Sequence, residues 1–494
     1  MIASTTKGFG EMGKQQKEFV KEITPRDEDF SQWYTDVVLK AALADYAPIR
    51  GCIVVRPDGY AVWERMQASL DSRFKQTQVV NAYFPMFIPE HLFQKEVEHV
   101  EGFAPEVPWV THVGNEPLPE RLAIRPTSEI VIGSMYSKWI QSYRDLPILI
   151  NQWCSVVRWE KATRPFLRTT EFLWQEGHTA HRDECEARER TLLMLDIYKD
   201  FYEQDLAIPV LPGRKSESEK FAGAVDTYSV EALMQDGRAL QAGTTHYLGD
   251  GFARVLDISY LDSDGELKYV HQTSWGVSHR AIGAVVMVHG DDRGLVLPPK
   301  IAPCQVVFVP IMSGNAREQV LERTTELARA LGSQVRVRVD DRDEYSPGWK
   351  FNEWEMRGIP LRIEIGPRDI KQNQVVVARR DTAEKQSVSQ DSLTTVIPTM
   401  LEEVQRHMFE KASKFLEENT HDAETMDELL SILSERRGLV RAGWCGSKQC
   451  EAYVKEQSGG ATIRNIPMEQ ADDPRACVAC GAPNRSVVYF AKAY

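Results

Sequence analysis

The chain has 494 residues, more than one ordinary hydrophobic core accommodates, so two to four domains are expected. A content of 42% hydrophobic and 27% charged residues fits a soluble globular protein. The net charge of −13 argues against a general nucleic-acid coat and against an anionic membrane surface as partner, while leaving room for a local basic face. The longest apolar runs, such as Ala284–Val288, are far too short to span a bilayer, and no N-terminal apolar run precedes a small-residue cleavage site, so the expected compartment is the cytoplasm.

Met1 to about Gln16 is polar and reads as a loose end. Lys17–Ala47 alternates acidic and apolar residues at helical spacing. Ile49–Pro57 is a strand candidate. Gly59–Gln76 is a strong amphipathic helix, followed by the strand-like VVNAYFPMFIP. In RPTSE, Arg125–Glu129, Thr127 and Glu129 are two apart and point together, and Glu129 can hold a cationic amine. The same Thr-Ser-Glu after proline is also a helix start, and the two readings are compatible.

The most informative stretch is Val156–His181, read as two strands joined by a short loop. Arg158 and Glu160 are expected on one face of the first strand. Phe172, Trp174, Glu176 and His178 alternate onto one face of the second. Such a face is a poor core and a poor water-facing surface. It is a good floor for a ligand that is part anion and part flat ring. An arginine fork suits phosphate or carboxylate, a carboxylate can accept from an exocyclic amine, and an aromatic ring can stack on a base.

A new α/β unit is expected after Pro298–Pro299, with strands at CQVVFVPI, VRVRV, LRIEIG and QVVVARR and a helix at Arg317–Leu331. Val335–Arg380 carries ten Lys or Arg against eight Asp or Glu, a locally positive segment in an acidic chain. Within it Lys350, Glu353 and Arg357 have the spacing of a salt-bridged helix. Met400–Leu433 is charged and helical, a bridge rather than a core. Cys52, Cys154, Cys185 and Cys304 are scattered, as reduced thiols would be. Cys445, Cys450, Cys477 and Cys480 form two close pairs suited to one tetrahedral, closed Zn²⁺ site that holds the tail rather than doing chemistry. The chain ends VVYFAKAY, with a buried strand expected at Val487–Phe490 and Tyr494 packed against the body of the protein, its carboxylate hydrogen-bonded there.

Arg158-x-Glu160, a loop, and then Arg168-x-x-x-Phe172 resembles motif 2 of the class II aminoacyl-tRNA synthetases. With WQEGHTAH, RPTSE, TSWGVSHR and GDDRGLVLPP, the chain resembles the prolyl-tRNA synthetases from about Phe19 to its last residue. The form is the archaeal/eukaryotic-like one without the large inserted editing domain. The resemblance implies an α/β (α+β) protein. A flexible N-terminus (1–16) precedes a class II catalytic domain of antiparallel sheet flanked by helices (17–300). An α/β anticodon-binding domain (301–400) and a small α/β zinc-binding domain (401–494) follow. The helix-then-strand after Gly59 looks like motif 1, which in the family builds a homodimer interface.

The implied activity joins L-proline to tRNA(Pro) through a prolyl-adenylate, with ATP and Mg²⁺ as substrate and Zn²⁺ as structural metal. Arg158 is expected to bridge the prolyl carboxylate and the α-phosphate, and Arg293, matched to motif 3, to contact the γ-phosphate. Glu160, Arg168, Thr169, Phe172, Gln241, Thr244 and Ser274 match the ATP site. Thr127, Glu129, Arg158, Trp174, His178, Phe221, His246 and Ser274 match the proline site. Lys350, Glu353, Arg357 and Arg368 are candidates for reading the guanine-rich anticodon.

Two other readings are weaker. A threonyl-type enzyme would need a Cys/His/His zinc set in its active site, which Cys154 and Cys185 do not complete. A non-catalytic RNA-binding relative would be expected to have lost Arg158, Arg293 or the anticodon domain. Between Arg168 and Arg293 lie about 125 residues, all used by recognisable active-site pieces, so no ordinary editing domain fits. Misactivation of cysteine or alanine without hydrolysis of the mischarged tRNA in cis is the consequence expected.

Overall fold

The computed structural model describes residues 23–99, 106–311, 316–470, 475–483 and 485–494. The loose end expected up to Gln16 lies outside them.

The amphipathic run forms a helix over Pro57–Gln76. Proline opens it, where the missing N–H has no intrahelical partner to lose. Val62, Trp63, Met66, Leu70 and Phe74 recur at helical spacing and are buried. The Phe74 ring packs 6.4 Å from Tyr198 on the helix Glu184–Asp200 and 6.2 Å from Trp275 on the central sheet. Asp183 caps that second helix by accepting from the Glu186 N–H at 2.9 Å. Upstream, the helix expected over 17–47 is found at Phe30–Lys40. Ala42, at φ 59°, turns the chain out of the helix, and Ala44–Tyr46 pairs as a strand with Ile53–Val55. The strand expected at Ile49–Pro57 is shortened to those three residues, because Gly51 turns at φ 78° and Pro57 already starts the next helix. VVNAYFPMFIP splits into Val80–Asn81 and Phe87–Pro89, which join different sheets.

The central sheet has eleven strands. Its catalytic part runs Leu211–Arg214, Asp226–Leu233, Ala239–Gly249, His271–Ser278, Glu171–His181, Ile148–Val157 and Val80–Asn81 in spatial order. All neighbours there are antiparallel except the last pair. The helices Pro57–Gln76 and Glu184–Asp200 cover one face. The Tyr198 hydroxyl hydrogen-bonds the Gln175 side-chain amide at 2.8 Å. Gly177 is required here, since a Cβ at that position would collide with the Trp275 ring of the neighbouring strand.

The sheet does not stop at the expected domain border. Thr462–Pro467 pairs antiparallel with Leu211–Arg214, Ile466 opposite Arg214, so the C-terminal strands extend the catalytic sheet. A buried ion cluster seals the seam. Lys215 Nζ lies 2.7 Å from Glu231, and Arg464 donates to Glu231 Oε2 through Nε and Nη2 at 3.1 and 3.0 Å.

The unit from about 305 is a second, five-stranded sheet. Val306–Pro310 lies between Val337–Val339 and Leu361–Ile365 in parallel, and Gln374–Arg379 and Lys385–Ser389 follow antiparallel. The helical bridge expected over Met400–Leu433 is a helix at Leu393–Glu418, a strand at Thr420–Ala423 and a short helix at Met426–Ser431. One apolar stripe, Leu393, Ile397, Met400, Leu401, Val404 and Met408, runs across residue 400 and joins the core of the five-stranded unit. The long helix therefore belongs to that unit as well as to the tail.

Candidate active site

Strand register sets the site. Across the catalytic sheet, Thr227 stands opposite His246, His246 opposite Ser274, and Ser274 opposite His178. Two residues along, and so on the same face, Thr244, Gly276, Glu176 and Gln152 form a second row. Gly276 leaves a gap between Thr244 and Glu176, and a cavity of about 250 Å³ opens over both rows. The period-two alternation of Phe172, Trp174, Glu176 and His178 is thus borne out in the strand Glu171–His181.

Thr127, Glu129, Arg158, Trp174, His178, Phe221, Gln241, Thr244, His246 and Ser274 all line this cavity. Thr127 and Glu129 enter from one end, where the helix Glu129–Trp139 begins, and Thr127 Oγ1 donates to Glu129 Oε2 at 2.5 Å. The helix start and the paired side chains therefore coexist. Phe221 and His246 make one wall, ring centroids 4.7 Å apart. Burial, with the positive charges of His178 and Arg158, pushes His246 down to about 3, so its imidazole is neutral. The Ser274 hydroxyl is buried and has no hydrogen-bond partner among the described residues. A polar atom so placed awaits a ligand or water.

Arg158 lies just past the end of its strand, Ile148–Val157, so Arg158 and Glu160 do not share a strand face as expected. Its N–H still bonds the Thr170 carbonyl at 2.8 Å, which prolongs the ladder by one step. The guanidinium lies 5.4 Å from the Phe172 ring and 5.3 Å from Trp174, and Nε donates to the Pro126 carbonyl at 3.0 Å. Arg158 is exposed where the cavity opens, with Glu129, Glu176 and Glu160 as the carboxylates acting on its charge.

Five of the matched residues lie outside the cavity lining. Glu160 and Arg168 pair with each other at 2.7 Å on the exposed loop beyond Arg158. The Thr169 hydroxyl is turned inward, donating to the Glu171 carbonyl at 2.7 Å. Phe172 borders the cavity through Arg158 and Trp174, its ring 5.7 Å from Trp174. Arg293 is the clearest departure. It occupies the exposed turn after the helix Arg280–His289, 3.9 Å from Glu355 of the second unit.

The residue in the expected place is Arg280, at the end of TSWGVSHR, to which the sequence reading gave no role. It opens the helix that follows the central strand His271–Ser278. A helix N-terminus disfavours a cation unless an anion is due there. Arg280 is held by the carbonyls of Leu167 at 3.0 Å and Gln241 at 3.3 Å, close enough to Arg158 for that charge, with burial, to lower its pKa. Glu176, Glu219 and Thr227 also line the cavity and were assigned to no site, although Glu176 stood in the alternating pattern.

The anticodon candidates divide. Lys350 is buried with its ammonium on the Asp340 carbonyl at 3.0 Å. Glu353 is buried against Arg342 and Arg357. Arg357 also bridges to Asp58 of the catalytic helix at 2.6 Å. These three hold the unit together, because a helix spacing that suits base reading suits a salt bridge equally. Arg368 alone of the four is exposed. Beside this helix, Arg362 stacks 4.3 Å under Phe351 and pairs with Glu364 at 3.0 Å and Glu355 at 3.5 Å.

The four tail cysteines converge, with Sγ atoms within 4.8 Å of one another. The separations are 3.6 Å for Cys445–Cys450 and 3.9 Å for Cys445–Cys480. Four sulfurs at ~2.3 Å from one Zn²⁺ would stand about 3.8 Å apart, so the donor set fits that metal. The strand expected at Val487–Phe490 is found at Ser486–Ala491, with Val488 and Phe490 buried. Tyr494 packs on the catalytic domain through its phenol, which donates to Asp236 at 2.6 Å, and its N–H, which donates to the Ala239 carbonyl.

Three family models match successive parts of the chain. Residues 111–289 match the family described as tRNA synthetase class II core domain (G, H, P, S and T), 305–400 the anticodon binding domain, and 426–494 the prolyl-tRNA synthetase C-terminal family. A protein named proline--tRNA ligase from Natranaerobius thermophilus is 60% identical over 485 residues, 98% of this chain and 100% of that protein. Its namesakes from Symbiobacterium thermophilum and Alkaliphilus oremlandii are 58% and 57% identical, over 97% and 98% of this chain and all of theirs. With its cavity, its second sheet and its four-cysteine tail in this order, the chain belongs to the prolyl-tRNA synthetases of class II.

Proposed function

We propose that the chain forms prolyl-adenylate from L-proline and ATP and passes the prolyl group to tRNA(Pro). The observation that carries this reading is the single cavity in which Glu129, His178, His246, Ser274 and Arg158 meet. Glu129 holds the cationic secondary amine. Trp174, Phe221 and His246 wall a rigid pyrrolidine ring. Arg158, at the mouth of the strand pair, bridges the prolyl carboxylate and the α-phosphate. The carboxylate is ionised at neutral pH and attacks the α-phosphorus directly, breaking the α–β phosphoanhydride bond and releasing pyrophosphate, so no side chain need remove a proton. Catalysis is then positioning and charge stabilisation.

ATP enters with Mg²⁺ as substrate. Phe172 stacks on adenine, Glu160 accepts from its amino group with Arg168 alongside, and Gln241 and Thr244 border the nucleotide. Arg280 takes the distal phosphates, the role the sequence reading gave to Arg293. Anticodon contacts fall to Arg368, the exposed member of the four candidates. Zn²⁺ on Cys445, Cys450, Cys477 and Cys480 ties the tail. Val80 and Tyr83, 59% and 71% exposed at the edge of the central sheet, mark the homodimer face. The compartment is the cytoplasm.

Arg158→Ala tests the reading. Loss of a transition-state arginine lowers rates ~10²–10³-fold or more. Proline-dependent ATP–pyrophosphate exchange should fall that far while the circular dichroism melt stays near wild type. Near-normal exchange in a folded variant contradicts the assignment.

A further inference from the structure

Five donors converge on one buried carboxylate. Glu176, 2% exposed, accepts from the Ser128 N–H at 3.1 Å, the Ser128 hydroxyl at 2.5 Å, Gln152 Nε2 at 2.7 Å and the Cys154 thiol at 3.4 Å. The fifth partner is His178 Nε2 at 3.0 Å. An ionised carboxylate is acceptor-only and suits this surround, whereas an amide would turn N–H groups toward donors. The contacts tie three elements together: the segment leading into Thr127 and Glu129, the strand Ile148–Val157 and the strand that bears His178.

We propose that Glu176 is a positioning residue that keeps His178 protonated, so that His178 offers proline an N–H donor instead of a bare ring nitrogen. The inference rests on the proline-site reading above and assigns a device within it.

The groups around His178 support the direction. Burial disfavours the imidazolium, but Glu176 on its own strand and Glu129 from the facing helix outweigh burial and raise its pKa. Arg158 from the next strand and Glu219 across the cavity are the other charged groups lining it. His246 is pushed down to about 3 by burial and by the positive charges of His178 and Arg158. The two cavity histidines are thus shifted in opposite directions, His178 upward and His246 downward, and His178 is the cavity histidine expected to titrate with proline binding.

The sign follows. A raised pKa means the N–H donor persists above ~6.5, the ordinary histidine value. The KM for proline should stay low until pH passes the raised value and then climb. In Glu176→Gln the partner is gone and burial dominates, so the same climb should begin at lower pH. At a pH above both midpoints the variant's KM should exceed wild type by ~10-fold for each unit of separation, with kcat changed less.

The experiment has two arms. In substrate-free protein labelled at histidine nitrogen, the His178 resonance, assigned by its loss in His178→Gln, is titrated from pH 5 to 9. The expected result is a wild-type midpoint above ~6.5 and a lower one in Glu176→Gln. A wild-type midpoint at or below that value, or none of the shift in the variant, overturns the proposal. If Glu176→Gln does not fold, the wild-type titration alone decides. In the second arm, proline KM in pyrophosphate exchange is measured against pH, and a variant profile parallel to wild type overturns the proposal. Wild-type protein that gives the expected titration but no proline-dependent exchange would refute the functional reading and leave the Glu176–His178 pair standing.

Discussion

At the residue scale, the site is a matter of which arginine stands where. Arg158, just past the end of its strand, and Arg280, at the start of its helix, reach the same region, and Arg293 points to the second unit. Arg280→Ala should therefore weaken ATP use by ~10-fold or more, seen as a raised KM for ATP in exchange, while Arg293→Ala leaves it within about twofold. The reverse ranking would restore Arg293 to the role the sequence suggested. Glu176 adds a stability term of the opposite sign to that of His178. Burial raises its pKa, but His178, Ser128 and Gln152 together bring it down to about 2. Its contribution is fully present above ~4.3 and is lost as pH falls from there through about 2, so the Glu176→Gln melt should converge on wild type in acid. The alternation of Phe172, Trp174, Glu176 and His178 was legible because a strand has a period of two. Arg280 was not, since its significance depends on a helix beginning beside Gln241, which no local pattern states. Lys350 and Glu353 misled because burial is invisible in a spacing of three or four.

At the element scale, the tail is built from segments too short to stand alone. Cys445 follows the strand Leu439–Trp444, Cys450 lies on the helix Lys448–Gln457, and Cys477 and Cys480 come from a loop whose Val478 N–H bonds the Gly443 carbonyl at 2.9 Å. A shared metal would fasten all three. Elemental analysis should find one zinc per chain. Cys477→Ser should expose the tail to protease, yet reduce proline activation less than Arg158→Ala does. Metal-free protein with a protease-resistant tail would contradict the zinc assignment. The cysteine spacing announced this element in the sequence. The splitting of VVNAYFPMFIP between two sheets was not announced, because an apolar run has no marker for which partner each half will find.

At the scale of the whole molecule, the three units are fastened more tightly than a chain of independent domains. The catalytic sheet runs on into the tail, and the second unit is clasped to the turn after the Arg280 helix. Arg380 pairs with Asp291 at 2.6 and 2.7 Å, and the Leu295 and Leu297 N–H groups bond the Met356 and Gly358 carbonyls at 3.0 Å. Removing one partner of a buried ion cluster costs ~3–5 kcal/mol, so Glu231→Ala should lower the melting temperature and loosen the tail from the catalytic sheet. An unchanged melt would mean that the strand pairing alone holds the seam. None of this joining was legible in the sequence, since Ile466 and Arg214 pair across about half the length of the chain and neither carries a local mark of its partner. The order of the three units was legible, each having its own pattern of strands, helices and cysteines.

The central claim is that one cavity selects proline for attack on ATP. It is tested most directly by ATP–pyrophosphate exchange with the purified chain and each amino acid in turn. Proline should support fast exchange, alanine or cysteine a slow one, and threonine and serine none. Exchange driven by another amino acid, with none from proline, would contradict the account.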